Sequence, residues 1–115
     1  MSLNKINIAI AGATGFVGLE LIYYLSNHPN VKISYLCARK NIGVNIKKFD
    51  NRLKKNFPKI SNLKDINWSK VDLLFLSLPN GEAQKITSLL YSNLYFLSLI
   101  FWENFFLTCY RIFLY

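Results

Sequence analysis

Gly12, Gly15 and Gly18, spaced three apart, are the residues of this 115-residue chain best suited to meeting a charged ligand. Gly12 permits a tight turn, and Gly15 leaves no side chain where a pyrophosphate would approach the backbone. Gly18 lets a helix lie close against a sheet. The surroundings suit that use. Ile6, Ile8 and Ile10 alternate with smaller or polar residues in a short β-branched run, which predicts a buried first strand. The residues after Gly15 open a helix whose free N–H groups and positive dipole end would face the same point. A tight strand-to-helix turn that binds nothing could carry the same glycines. The strand before and the helix after favour a bound nucleotide.

A second group of residues stands about 20 positions on. Val31-Lys32-Ile33-Ser34-Tyr35-Leu36-Cys37 alternates strictly and reads as the second strand. Where nicotinamide-binding folds place an acidic residue for the ribose 2′-hydroxyl of NAD, this chain has Ala38-Arg39-Lys40. Two cations there suit a 2′-phosphate, so the expected cofactor is NADP, with Arg39 as its contact. A surface arginine just past a strand is the alternative.

These residues need elements to hold them. Val17, Leu21, Tyr24 and Leu25 fall on one helical face, and Glu20 lies where negative charge favours a helix start. Asn27-His28-Pro29-Asn30 ends that helix. From Asn41 to Lys70 the pattern is poor and lysine-rich, reading as an exposed irregular crossover with a short strand between Ile60 and Trp68. Val71 to Leu78 is a near-continuous apolar run, as expected of a central parallel strand covered on both faces. It ends in Pro79-Asn80-Gly81, and Glu82 to Ile86 starts another helix. The turns at Gly12 and Gly81 should share one crevice at the carboxyl edge of the sheet. The fold class is therefore α/β, a Rossmann-type doubly wound parallel sheet, over residues 1–88.

The composition narrows the function classes. The formal charge is +8, from 14 Lys and Arg against 6 Asp and Glu. The lysines gather between Lys47 and Lys70, without the arginine-rich or aromatic-interleaved pattern of a nucleic-acid binder, so nucleic acid is not expected as a partner. Cys37 and Cys109 are far apart, and there is a single His, so no metal site is expected. Cys37 reads as a small core hydrophobe and His28 as a capping or surface residue. The chain leads straight into a strand, which makes a cytoplasmic location the expectation.

Ala11-Gly12-Ala13-Thr14-Gly15-Phe16-Val17-Gly18-Leu19-Glu20-Leu21, Asn27-His28-Pro29, Ala38-Arg39 and Phe75-Leu76-Ser77-Leu78-Pro79-Asn80-Gly81 together resemble N-acetyl-γ-glutamyl-phosphate reductase, of the aspartate-semialdehyde dehydrogenase superfamily. The likeness covers residues 5 to 88, and its His-Pro pair and Leu-Pro-Asn-Gly turn are its most particular features. It implies an NADP-binding domain in an enzyme of arginine biosynthesis that reduces an acyl phosphate to an aldehyde, homo-oligomeric when whole. It also implies cofactor contacts at Gly12, Thr14, Gly15, Phe16, Val17, Gly18 and Arg39, with Pro79, Asn80 and Gly81 on the nicotinamide side. The family's catalytic cysteine and histidine lie beyond residue 115, so no catalytic residue is expected here. Cys109-Tyr110 lacks the glycine and proline that flank the family's nucleophile.

From Leu89 the character changes. Residues 89–102 carry no charge, and Phe105 to Tyr115 is dense in aromatics. Neither helical nor strand periodicity persists, and this hydrophobic tail is expected to be poorly ordered. One reading is a reading-frame shift near Lys85 to Leu90, which would leave a truncated, inactive reductase. The others are a stand-alone NADP-binding module and a protein tethered to a membrane through residues 86–102.

Overall fold

The computed structural model describes residues 5–78, 82 and 85, together with the backbone of 98–103 and 106–111. Its elements run β1 (Ile6–Ala11), α1 (Phe16–Ser26), β2 (Val31–Cys37), β3 (Ile60–Ser61), β4 (Leu73–Leu76), β5 (Ser98–Glu103) and β6 (Phe106–Arg111). They form one sheet in the order β3-β2-β1-β4-β5-β6. The strands from β3 to β5 are parallel, and β6 returns antiparallel on β5. The order 3-2-1-4 with parallel pairing is the first half of a Rossmann sheet. Between β1 and β4 the strand order reverses, and ligands of open α/β sheets bind at such a reversal.

Around β1 the sheet is buried on both faces, so β1 is apolar at every inner position. Ile8 and Ile10 point to one side, packing with Ile22, Leu36, Ile46, Ile60 and Phe75. Ala9 and Ala11 point to the other, packing with Cys37, Ile66, Val71, Leu74 and Leu76. The predicted strand over 71–78 is shorter than its apolar run. Val71 closes a 3₁₀ turn at Trp68–Lys70, and Asp72 ties the start of β4 to β1. The Asp72 amide donates to the Asn7 carbonyl at 2.8 Å, and the Asn7 amide donates to the Asp72 carboxylate at 2.8 Å.

Helix α1 forms where expected, but its buried face is rotated. Gly18 and Ile22 are its buried residues, with Leu25 partly buried behind them, whereas Tyr24 is 67% exposed. The reason is steric: Gly18 is the only residue of that turn that fits against the backbone at Gly12, so it fixes which side meets the sheet. Glu20 is not in the first turn of the helix. It pairs instead with Arg52, whose guanidinium also grips Asp50 at 2.8 Å and lies 4.4 Å from the Tyr23 ring centroid. Arg52 holds the Asp50 carboxyl below its ordinary range through hydrogen bonds from side chain and backbone. His28 is exposed at the helix end, its Nδ1 accepting the Asn30 amide at 3.1 Å.

The segment read as irregular and exposed is more ordered than its pattern. Asn45, Asn62 and Asn67 each cap a 3₁₀ turn, accepting from the amide two residues on. Ile46, Leu53, Ile60 and Ile66 anchor the segment in the core. Local asparagine bonds leave no periodic signature, which is why periodicity missed these turns. Periodicity likewise assigns no element beyond Leu89, yet β5 pairs with β4 from Ser98 opposite Leu73 to Phe101 opposite Leu76.

Candidate functional site: the cleft at the carboxyl edge of the sheet

At the end of β1 the chain turns on Gly12, whose φ is +80°, a backbone region that glycine adopts without steric cost. A Cβ there would lie 2.3 Å from the Ser77 carbonyl oxygen, so both conformation and space require glycine. The Gly12 and Ala13 amides both donate to the Cys37 carbonyl at 3.0 Å, which ties the turn to the end of β2. Ser77, just past β4, completes the tie. Its amide donates to the Ala11 carbonyl at 3.0 Å, and its hydroxyl lies 2.8 Å from the Ala11 oxygen and 3.2 Å from that of Gly12. Sequence reasoning gave Ser77 no role; a lone hydroxyl in an apolar run was the available signal.

Gly15 and Gly18 differ in what they do. A Cβ on Gly18 would come within 2.1 Å of the Gly12 carbonyl oxygen, so this glycine lets α1 approach the turn. A Cβ on Gly15 would meet only that same oxygen, at 3.4 Å, an ordinary contact. Gly15 is also exposed and has a φ of −75°, open to any residue. The fold therefore does not demand glycine at position 15, whereas a group approaching the backbone there would. Gly15 caps α1 without a side-chain hydrogen bond, and the first bond into the helix is Leu19 N–H to Gly15 at 2.9 Å. The amides of Phe16, Val17 and Gly18 precede that bond and point out of the first turn, as in helix starts that bind anions. Phe16 is 79% exposed, while Thr14 and Val17 are half-buried.

Beside the turn lies a cleft of about 450 Å³ lined by Ala11, Gly12, Cys37, Ala38 and Arg39 on one side. Asn62, Leu63, Leu78, Glu82 and Lys85 complete it. Of the expected contacts, this cleft brings together Gly12 and Arg39. Thr14, Gly15, Phe16, Val17 and Gly18 do not line it; they follow Gly12 along the turn and the helix start. Pro79, Asn80 and Gly81 lie outside the described residues. Arg39 stands at the end of β2 with its side chain 74% exposed, in an ion pair with Glu82. Lys40 is exposed and does not line the cleft. Asn62, Leu63 and Glu82 were not singled out from sequence; each comes from a segment whose pattern says nothing of where it folds.

Cys37 is 3% exposed at the floor of this cleft. Burial pushes its thiol up to about 11, against a smaller opposing effect from the Ser61 hydroxyl at 3.9 Å. A thiol so placed is a packing group rather than a nucleophile. The backbone at Cys109 is within β6, opposite Ile100, a strand position rather than a turn. Among the described residues, no group of three His, Cys, Asp or Glu side chains could hold a metal. No helix among them is long and apolar enough to cross a membrane; most of 86–102 lies outside the described residues.

Comparison with known proteins bears on the family and the fold. Residues 7–95 match the family described as semialdehyde dehydrogenase, NAD binding domain. An N-acetyl-γ-glutamyl-phosphate reductase of Ehrlichia ruminantium is 42% identical over 91 residues, covering 77% of this chain and 26% of that protein. Its counterpart in Ehrlichia canis is 39% identical over 84 residues, covering 71% and 24%. The chain thus spans about a quarter of the length of these curated relatives. In fold it resembles aspartate semialdehyde dehydrogenase from Candida albicans, solved with NADP. The TM-score is 0.69 at 22% identity, over 88% of this chain and 30% of the other.

Proposed function

This chain belongs to the semialdehyde dehydrogenase family through its NAD-binding domain, and from that premise we propose that it binds NADP as the cofactor-holding part of an N-acetyl-γ-glutamyl-phosphate reductase. The observation that carries the proposal is Gly15, a glycine that neither backbone conformation nor packing requires, beside first-turn amides suited to a diphosphate. Arg39, in the cleft at the end of β2, is the group for a 2′-phosphate, since a guanidinium forms paired hydrogen bonds with phosphate oxygens.

In the reaction so proposed, N-acetyl-γ-glutamyl phosphate becomes N-acetylglutamate semialdehyde and free phosphate. NADPH, when bound, supplies the hydride. The residues of this chain bind and orient. The Gly12–Gly18 turn receives the diphosphate and Arg39 the 2′-phosphate, while Leu63 and Leu78 offer apolar walls. Pro79, Asn80 and Gly81 are proposed for the nicotinamide side. No thiolate is assigned to this part of the enzyme, because the Cys37 thiol is buried and neutral. The same reading places the protein in the cytoplasm, and the whole enzyme as a homo-oligomer.

Titrating the chain with NADPH and with NADH, following the enhancement of nicotinamide fluorescence, tests the reading. Saturable binding with NADPH the tighter ligand is expected. Failure of both nucleotides to bind would overturn it.

A further inference from the structure

The end of β2 carries a cation where NAD sites carry an acid, but the cleft does not lack an acid. Glu82 lines it from the segment that follows β4, and its carboxylate is engaged with the Arg39 guanidinium. Arg39 is open to solvent at 74% exposure, and Glu82 is half-buried at 32%. We propose that Glu82 is a specificity-determining residue, competing with the cofactor's 2′-phosphate for Arg39 and so narrowing the preference for NADP over NAD. This rests on the reading that the cleft holds a nicotinamide dinucleotide.

The chemistry follows from what each group can accept. Arginine keeps its charge at any working pH, and the same planar fork fits a carboxylate or a phosphate. A 2′-phosphate arriving at Arg39 must displace the Glu82 carboxylate or share the guanidinium with it. Sharing sets two anions side by side, which costs Coulomb energy even in a solvated cleft. The 2′-hydroxyl of NAD makes no such demand. Arg39 stays paired, and a carboxylate at this rim can accept the hydroxyl proton, as an acid at the end of β2 does elsewhere. Glu82 therefore opposes one cofactor and not the other. It reaches the ribose end of the cleft from a different segment, which is why sequence position alone conceals it.

The test uses the full chain and four proteins: the wild type, Glu82→Gln, Arg39→Gln and the double variant. Dissociation constants for NADPH and NADH are measured for each, with the thermal midpoint as a check on folding. Because exposed ion pairs are weak, Glu82→Gln should tighten NADPH by about fivefold and leave NADH unchanged or slightly weaker. The gain should shrink in the Arg39→Gln background, where no guanidinium remains to be released. Glu82→Ser, whose short hydroxyl cannot reach Arg39, should tighten NADPH even where glutamine keeps a neutral hydrogen bond to the guanidinium. NADPH binding in the wild type that neither Glu82 variant tightens would overturn this inference and leave the cofactor reading standing. Wild-type chain that binds neither nucleotide would overturn both.

Discussion

At the end of β1 the cleft is made of backbone. Gly12 adopts a left-handed turn, Gly18 presses α1 against it, and amides from Gly12, Ala13 and Ser77 close on neighbouring carbonyls. At the end of β2 it is made of side chains, Arg39 and Glu82, which reach into solvent and pair there. Apart from Gly15, the first region cannot change without disturbing the sheet, because its atoms are also those that hold β1, β2 and β4 in place. The second can change freely, because little rests on it. The diphosphate contacts proposed above thus sit on a turn that the fold itself requires, while the proposed choice between two dinucleotides rests on surface side chains.

The largest effect that would separate the two regions is at Gly12. Gly12→Ala forces a strained φ and a backbone clash, and should cost about 2–5 kcal/mol of stability in a denaturant titration. That is a large part of the whole for a small domain. Gly15→Ala should leave stability within about 0.5 kcal/mol and weaken NADPH binding, since its Cβ finds room in the fold. Equal destabilisation by both would erase the distinction between a glycine for folding and a glycine for a ligand.

Next comes Arg39→Glu, which should weaken NADPH by roughly 10- to 100-fold and NADH far less, with an unchanged thermal midpoint. Equal losses for the two cofactors would remove Arg39 from the 2′ position. Ser77→Ala should cost about 1–2 kcal/mol in stability by removing the hydroxyl that bridges the Ala11 and Gly12 carbonyls. Affinity for both cofactors should fall together, because the loss loosens the turn. A selective loss of NADPH alone would move Ser77 into the other region.

The effect that shows only at alkaline pH is a pH dependence from Cys37. Its thiol is held protonated by burial, with a pKa raised from 9.0 to about 11. The folded state therefore binds that proton more tightly than the unfolded chain does. The stabilisation is complete below pH 9 and is lost as pH rises from 9 towards 11. Cys37→Ser should flatten that part of a pH–stability curve, and a curve of unchanged slope would show that other groups set it.

How much of this was legible in the sequence depended on the kind of signal. The alternation in Ile6–Ile10 and Val31–Cys37 and the apolar run before Leu78 located three strands, because the two-residue period of a strand is written in residue type. The glycine spacing located the turn for the same reason: a backbone conformation that suits one residue type leaves that type behind. The rotation of α1 was misjudged, since Tyr24 and Ile22 are both apolar enough to be buried. Only the close approach at Gly18 decides between them. The asparagine-capped turns and the Arg39–Glu82 pair were not legible, because they depend on contacts within two residues or across more than forty.

The carbonyl of Cys37, which accepts from both Gly12 and Ala13, has a consequence for anyone wishing to re-equip this scaffold. It fastens the glycine turn to the very strand whose next residues include Arg39, so the spacing between the two proposed subsites is already set. On the proposed reading, exchanging the cofactor becomes a grafting problem at positions 39 and 82, with no loop to remodel and no register to retune.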